Sequence, residues 1–480
     1  MFKVAVIGSG PAAFYTAQHL LKSRSNVSIH MFEKLATPFG LVRFGIAADH
    51  QDAKKVANKF DELATHYQKE GRFQFVGGVE VVGSEDADAV ANASLSQRRL
   101  PFSLLRKNYD VVIAAYGAES AKTMPLKQGR AVSAHDFVQW VNGHPDSIGH
   151  SDMFAHHLEA ETAVVVGHGN VALDVARVLL DDVDSLRRTD VPDNVLQVLA
   201  ESKVRHVRLV ARRGPFQMAF TAKELREMTK LPNASYMPNE LLSSEPYKSS
   251  DSLPWLDRSP KRLMQILHGS GDAKAIKSKS WALDWYLSPH QILQDENTKS
   301  IKAIQFQKTS PVSSVVPFGS KIELVPNEFV DMPCGLVISS LGYTGLPLPN
   351  CSEDLPFDAR SGVIPNIQGR VIDPATKAPI EGLYASGWIK RGAVGVIAAT
   401  MYDAVETADS ILADLETAKP DASKQGFAGI QAHLGGKAVS YDGWKVLDEH
   451  ERKEGAKRGK LREKVVDLKS AMRIIDMGDK

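Results

Sequence analysis

The sequence predicts an α/β protein with two Rossmann-like dinucleotide-binding domains, each a three-layer arrangement of helices against a parallel sheet. Three observations predict it. A short apolar run, Lys3-Val4-Ala5-Val6-Ile7, passes straight into the glycine turn Gly8-Ser9-Gly10-Pro11-Ala12-Ala13 and then into a helical pattern. The same succession returns at Thr162-Ala163-Val164-Val165-Val166, followed by Gly167-His168-Gly169-Asn170-Val171-Ala172. After each helix a second strand-like run ends on charged residues of opposite sign, Glu33 in the first case and Arg212-Arg213 in the second.

Each part of the first unit has a physical reason. A β-branched apolar run of this length suits a strand buried on both faces. Gly8 permits the tight turn, Gly10 lets the backbone approach a pyrophosphate, and Ala13 keeps helix and strand close. Pro11 falls in the first helical turn, where its missing N–H costs nothing. From Phe14 to Lys22 the apolar residues Ala17, Leu20 and Leu21 recur at helical spacing. The helix N-terminus presents N–H groups and a positive dipole end to phosphates. Glu33, at about the expected 20-residue offset, accepts from ribose hydroxyls.

Beyond it, Leu35 to His50 reads as a glycine-rich apolar loop wrapped around a planar ligand, or as a packed Ω-loop. Asp52 to Lys69 is helical, Phe73 to Val82 a strand or hairpin, and Tyr109 to Ala118 a buried parallel strand that closes the first sheet. In the second unit, Leu173 to Asp181 is a helix and Val204 to Val210 delivers Arg212-Arg213. Glu33 suits a free ribose diol, whereas paired arginines suit a 2′-phosphate. The first site is therefore expected to hold FAD and the second NADPH.

Residues 227–275 are polar and proline-interrupted, with a basic cluster at Arg258-Ser259-Pro260-Lys261-Arg262. Trp281 to Val330 reads as strands and turns. Val337 to Tyr343 reads as a strand returning to the first domain, and Gly382 to Trp388 as another strand reaching glycine. Gly392 to Ala399 leads into a helix, a junction able to aim N–H groups at a flavin edge. Residues 416–480 read as a solvated, charged tail with one or two helices.

Bulk properties narrow the function. The length suits about two to four domains. Hydrophobic content of 43% and charged content of 24% are those of an ordinary globular chain, and a net charge of +1 gives no global attraction to nucleic acid or acidic membranes. No apolar run reaches the roughly 18 residues of a membrane span, so at most peripheral membrane contact is expected. Cys334 and Cys351 form no CxxC, which points to a reducing compartment and removes the vicinal thiols a disulfide reductase needs. HExxH, zinc spacing, GxSxG and a Walker lysine are all missing from the sequence, so no metal site is expected. The first strand begins almost at the first residue, so no leader is expected. Two dinucleotides without a thiol pair suggest a flavin electron-transfer enzyme that hands its electrons to an external acceptor.

Six stretches carry a resemblance: Val6 to Lys22 (VIGSGPAAFYTAQHLLK), Gly40 to Gly45 (GLVRFG), Gly167 to Leu180 (GHGNVALDVARVLL), Arg212 to Met228 (RRGPFQMAFTAKELREM), Ser386 to Thr400 (SGWIKRGAVGVIAAT) and Gly459 to Asp467 (GKLREKVVD). In these the chain resembles, along nearly its whole length, the NADPH:adrenodoxin (ferredoxin) oxidoreductase family of mitochondrial type. The resemblance implies an NADPH domain inserted into a FAD domain: 1–117 and 341–480 for FAD, the latter with its charged tail, and 118–340 for NADPH. It implies FAD contacts at Ala12, Glu33, Leu41, Val81, Trp388, Gly395, Val396 and Ile397. NADPH contacts are implied at His168, Gly169, Asn170, Val171, Arg212, Arg213, Glu224 and Gly395.

His50 and Asp174 match positions that relay protons or electrons near the flavin, although a lone histidine in a loop also has a purely structural reading. Lys22, Arg226, Lys261 and Arg262 are implied to meet an acidic 2Fe-2S ferredoxin. The chain departs from the family pattern at His168, where glutamine is usual, at Ala48, where proline is usual, and at Ala393-Val394, where Pro-Thr is usual. A monomer in the mitochondrial matrix is the resemblance's implication, with the cytoplasm as the alternative compartment. Two other readings stay open: a flavoprotein with another acceptor, similar to a glutamate-synthase small subunit, and a dinucleotide-binding redox sensor without turnover. Whether the ferredoxin would serve a haem monooxygenase or iron–sulfur assembly is not legible.

Overall fold

The computed structural model describes residues 1–83, 98–270, 277–312, 321–395, 397–435 and 438–478. The chain divides into two units. Unit 1 comprises Met1–Ser120, Asn142–Ile148 and Tyr343–Lys480, and unit 2 comprises Ala121–Val141 and Gly149–Gly342.

Unit 1 is built on a seven-stranded sheet. Its spatial order is Asn366–Ile367, Arg370–Ile372, Pro379–Ala385, Val111–Ala114, Phe2–Ile7, Val27–Glu33 and Phe73–Gly77. From Pro379–Ala385 to Phe73–Gly77 all neighbours are parallel, and the first two short strands are antiparallel. Strand alternation explains the apolar run at the N-terminus. Phe2, Val4 and Val6 enter the core on one face with Phe14, while Ala5 and Ile7 enter the core on the other with Phe102 and Leu105. The helices Pro11–Ser23, Val56–Lys69 and Ile397–Thr417 cover the first face, where Phe14 stacks on Phe60 at 4.8 Å between ring centroids.

The strand Val111–Ala114 does not close this sheet. It lies inside it, between Phe2–Ile7 and Pro379–Ala385. Phe73 to Val82 likewise splits: Phe73–Gly77 forms the sheet edge, and Val79–Val82 turns away at Gly78 (φ +72°) to pair with Arg98–Pro101.

The C-terminal segment is not a solvated tail. Tyr441, Trp444 and Leu447 are at most 2% exposed, and with Ala471 and Ile475 they join the apolar cluster that contains Phe14 and Phe39. They recur every third residue along the helix Tyr441–Lys457, a narrow apolar stripe hidden among charges. The segment Asn142–Ile148 also belongs to unit 1, so unit 2 is not the single run 118–340. Lys464 Nζ donates to Asn142 O at 2.8 Å, Lys54 Nζ donates to Asn142 Oδ1 at 2.9 Å, and His144 packs edge-on against Phe44.

Unit 2 is built on a six-stranded parallel sheet. The order is Ala234–Met237, Lys279–Asp284, His206–Val210, Thr162–Val166, Leu336–Ser339 and Val132–Ser133. The run at Val337 is thus an interior strand of this sheet, pairing with Thr162–Val166, rather than a return to the first domain. A three-stranded antiparallel sheet follows Lys279–Asp284 in the chain: Leu287–Gln294, Ile301–Pro311 and Ile322–Pro333. Its Ile292, Ile304 and Phe306 pack with Val164 and Val210 of the parallel sheet.

Candidate dinucleotide sites

In unit 1 the first turn is forced by packing. Gly8 has φ +96°, and a Cβ there would stand 2.6 Å from Tyr116 Cα. Gly10 is different: among the described residues, a Cβ there would meet nothing within 4 Å. The protein's own packing therefore does not require glycine at position 10, whereas close approach by a phosphate does. The helix Pro11–Ser23 starts from Gly10 with no side-chain cap and no acid in its first turn. Its leading N–H groups are thus open to an anion, with no acid of the first helical turn to compete.

Glu33 lies at the end of its strand, 8% exposed. Its Oε2 accepts from Ser9 N at 2.9 Å and from Ser9 Oγ at 2.7 Å, and its Oε1 accepts from Leu35 N at 3.1 Å. Burial raises its pKa, and the Ser9 and Leu35 hydrogen bonds oppose that rise. The carboxylate is held against the glycine turn with further lone pairs to offer.

Other candidates gather around this turn. Gly387 (φ +78°) brings the late junction so near that a Cβ there would be 2.4 Å from Ala12 Cβ. Next to it Trp388 stacks on Tyr343 at 5.9 Å, and its Nε1 is buried without a partner among the described residues. A buried N–H of this kind calls for an acceptor. Gly395 is exposed with φ +84°, and Ile397 begins the helix Ile397–Thr417; Val396 lies outside the described residues. Leu41 opens the short helix Leu41–Phe44 from Gly40.

Val81 is a core residue, 3% exposed in the cluster with Leu100 and Phe102. His50 is half-buried at the start of Gln51–Lys54, and Lys22 is exposed in the last turn of Pro11–Ser23.

Unit 2 repeats the device. Gly167 has φ +138°, and a Cβ would stand 2.2 Å from Ser340 O; at Gly169 it would meet nothing within 4 Å among the described residues. The helix Asn170–Leu180 starts from Gly169, again with no side-chain cap and no acid in its first turn. Asn170 Oδ1 accepts from Thr221 N at 2.8 Å, and Val171 is half-buried beside it. Arg212 and Arg213 are both exposed beyond the strand His206–Val210. The fit with two dinucleotides holds at both turns.

The ring of His168 points into the protein. It is 7% exposed, with Nε2 2.9 Å from Leu209 O and Trp285 edge-on at 6.0 Å. Burial pushes its pKa down to about 4, so the imidazole is neutral at pH 7. Its Nε2 is thus committed to Leu209 O, while Nδ1 is buried without a partner among the described residues. Asp174 is engaged as well: Arg177, 4% exposed, places Nη2 2.6 Å from Asp174 Oδ1 and Nη1 3.3 Å from Glu224 Oε2 and 3.6 Å from Glu227 Oε2. Asp174 and Glu224 thus share one buried guanidinium.

Sequence reasoning missed Arg177; its signal was a lone cation inside the apolar stripe of Leu173 to Leu180. Of the basic candidates, Arg226 lies on Ala222–Thr229, and Lys261 and Arg262 lie on Arg258–Ser270, two helices packed together.

The pyridine nucleotide-disulphide oxidoreductase model matches residues 2–230. The mitochondrial NADPH:adrenodoxin oxidoreductase of Mus musculus is 38% identical, over 98% of this chain and 91% of its own length. The protein of the same name from Arabidopsis thaliana is 37% identical, over 96% and 93%. Among solved structures, Mycobacterium tuberculosis FprA in complex with NADPH superposes with a TM-score of 0.83 at 32% identity, covering 99% of both chains.

Proposed function

Because the chain belongs to the NADPH:adrenodoxin oxidoreductase family, we propose how its two glycine turns divide the family's work. The chain is an oxidoreductase that uses FAD and NADPH and delivers electrons to a ferredoxin. When bound, FAD accepts hydride from NADPH and passes electrons on singly. The residues of this chain bind, orient and shield.

Unit 1 takes the FAD: the N–H groups after Gly10 receive its pyrophosphate, Glu33 accepts from its ribose, and Trp388 Nε1 offers a buried donor. Unit 2 takes the NADPH: the turn at Gly169 receives its pyrophosphate, and Arg212 and Arg213 receive its 2′-phosphate. The contrast between Glu33 and the exposed arginine pair carries this reading. Its test is the variant Arg212→Ala/Arg213→Ala. The KM for NADPH should rise steeply and that for NADH little, since each charge-assisted contact is worth about 1.5–3 kcal/mol. Equal effects on both nucleotides would exchange or abolish the assignment.

The finer readings follow. The acceptor is an acidic 2Fe-2S ferredoxin met by Lys22, Arg226, Lys261 and Arg262, and the working state is a monomer. Among the described residues no helix is long and apolar enough to cross a membrane. The relatives are named mitochondrial, which supports that organelle; the matrix is the finer reading, and fractionation of cells expressing the full-length protein tests it.

A further inference from the structure

We propose that Thr309, on the antiparallel sheet of unit 2, and Tyr286, in the bend that leads into it, are positioning residues for discrimination by the nucleotide's 2′-phosphate, although neither touches it. The proposal rests on the reading that Arg212 and Arg213 take that phosphate. Both arginine side chains are exposed, so only their main chain is available to set where they start. That main chain is held from one side. Thr309 Oγ1 donates to Arg212 O at 2.7 Å, and Tyr286 N donates to Arg213 O at 3.4 Å. Thr309 N donates to Tyr286 O at 2.8 Å, joining the two supports. At Gly214 a Cβ would stand 2.1 Å from Tyr286 Oη, so the turn rests directly on the phenol, whose hydroxyl is 2.6 Å from Tyr247 Oη.

The support is irregular at both places, one in the bend before the sheet and one within it. Tyr286 is a non-glycine residue at φ +60°, and the register between Ile301–Pro311 and Ile322–Pro333 shifts between Gln307 and Thr309. A left-handed tyrosine and a bulge each cost stability, and such features are retained where they aim a side chain. Here both aim at the carbonyls of the arginine pair. Thr309 is 6% exposed, so its hydroxyl is committed to that one carbonyl. Without it, one arginine carbonyl is left unmet and the two guanidinium groups no longer begin from a fixed pair of Cα positions. Binding both to one phosphate then requires ordering the turn first.

The experiment is calorimetric titration of 2′,5′-ADP and 5′-AMP into the FAD-loaded full chain, using wild type, Thr309→Val, Thr309→Ser and Arg212→Ala/Arg213→Ala. Thr309→Val is expected to weaken 2′,5′-ADP about ten-fold and leave 5′-AMP within about two-fold. Thr309→Ser, which keeps the hydroxyl, restores the preference. Equal weakening of both ligands, or a preference unchanged by Thr309→Val, overturns the proposal. If the double arginine variant keeps the full preference for 2′,5′-ADP, the underlying assignment falls and the proposal with it; if that variant loses the preference while Thr309→Val keeps it, the proposal alone falls. Should Thr309→Val not fold, Tyr286→Phe removes the hydroxyl beneath Gly214, and a preference for 2′,5′-ADP unchanged in that variant overturns the proposal equally.

Discussion

Arg43 Nη2 and Glu451 Oε1 lie 2.6 Å apart across 408 positions of sequence, and Glu451 is fully buried. Glu451 also accepts from Arg462 Nη1 at 2.9 Å and from Val465 N at 2.9 Å, while Lys464 Nζ donates to Arg43 O at 3.3 Å. The helix Leu41–Phe44, which opens on a candidate FAD contact, is therefore braced by the C-terminal segment.

Removing one partner of a buried pair strands the other, at a cost of about 3–5 kcal/mol. Glu451→Ala should lose stability on that order in urea unfolding and release FAD at lower denaturant than wild type. An unchanged midpoint would show the brace to be idle.

Gly10→Ala separates folding from cofactor binding. A Cβ there meets nothing within 4 Å among the described residues, so the apoprotein should melt at the wild-type temperature. The purified variant should nevertheless be depleted of flavin absorbance. Full flavin occupancy would remove the argument for close approach at Gly10. Gly8→Ala, whose Cβ would meet Tyr116 Cα at 2.6 Å, should fail at folding instead.

His168 makes stability depend on pH with a defined sign. Its folded pKa is lowered by burial from 6.5 to about 4, so the unfolded chain takes up the proton first as pH falls. The stability it contributes is complete above the unfolded value and is lost between pH 6.5 and 4. By pH 5 the loss from this group is about 2 kcal/mol. His168→Gln should remove that increment from the difference between the unfolding free energies at pH 7 and pH 5. Parallel pH profiles for the two proteins would contradict it.

Reversing the charges of Lys261 and Arg262 to glutamate should slow reduction of an acidic ferredoxin about ten-fold at low salt and flatten its salt dependence. Reduction of ferricyanide, followed in the same stopped-flow instrument, should change far less. Equal slowing of both acceptors would place the defect upstream of docking.

What was legible in the sequence was local. The two glycine turns, the strands that feed them, and the opposite charges of Glu33 and Arg212-Arg213 are short-range patterns, and each stands in the structure at the place it was read. What escaped was decided by distant partners. The stripe of Tyr441, Trp444 and Leu447 is diluted by charges that neutralise one another only on folding, as Asp448 does with Arg462 at 2.7 Å. Val337 reads as a strand in isolation, but only pairing with Thr162–Val166 assigns it to a sheet. His168 occupies a phosphate-turn position, and nothing in its neighbours announces that its ring is turned towards Leu209. The relay roles of His50 and Asp174 stay proposals, with Asp174 already bound to Arg177.

Phe2 and Ile475 sit in one apolar cluster, which sets an order of events during synthesis. All of unit 2 lies between positions 121 and 342, so it has left the ribosome while unit 1 still lacks Pro379–Ala385 and the helices Ile397–Thr417 and Tyr441–Lys457 that complete its apolar cluster. The nascent chain therefore carries a finished nucleotide domain beside a half-sheet whose apolar faces await the last residues. That interval is when chaperones have most to bind, and a transcript cut short near its end would yield a protein defective in the domain that was translated first.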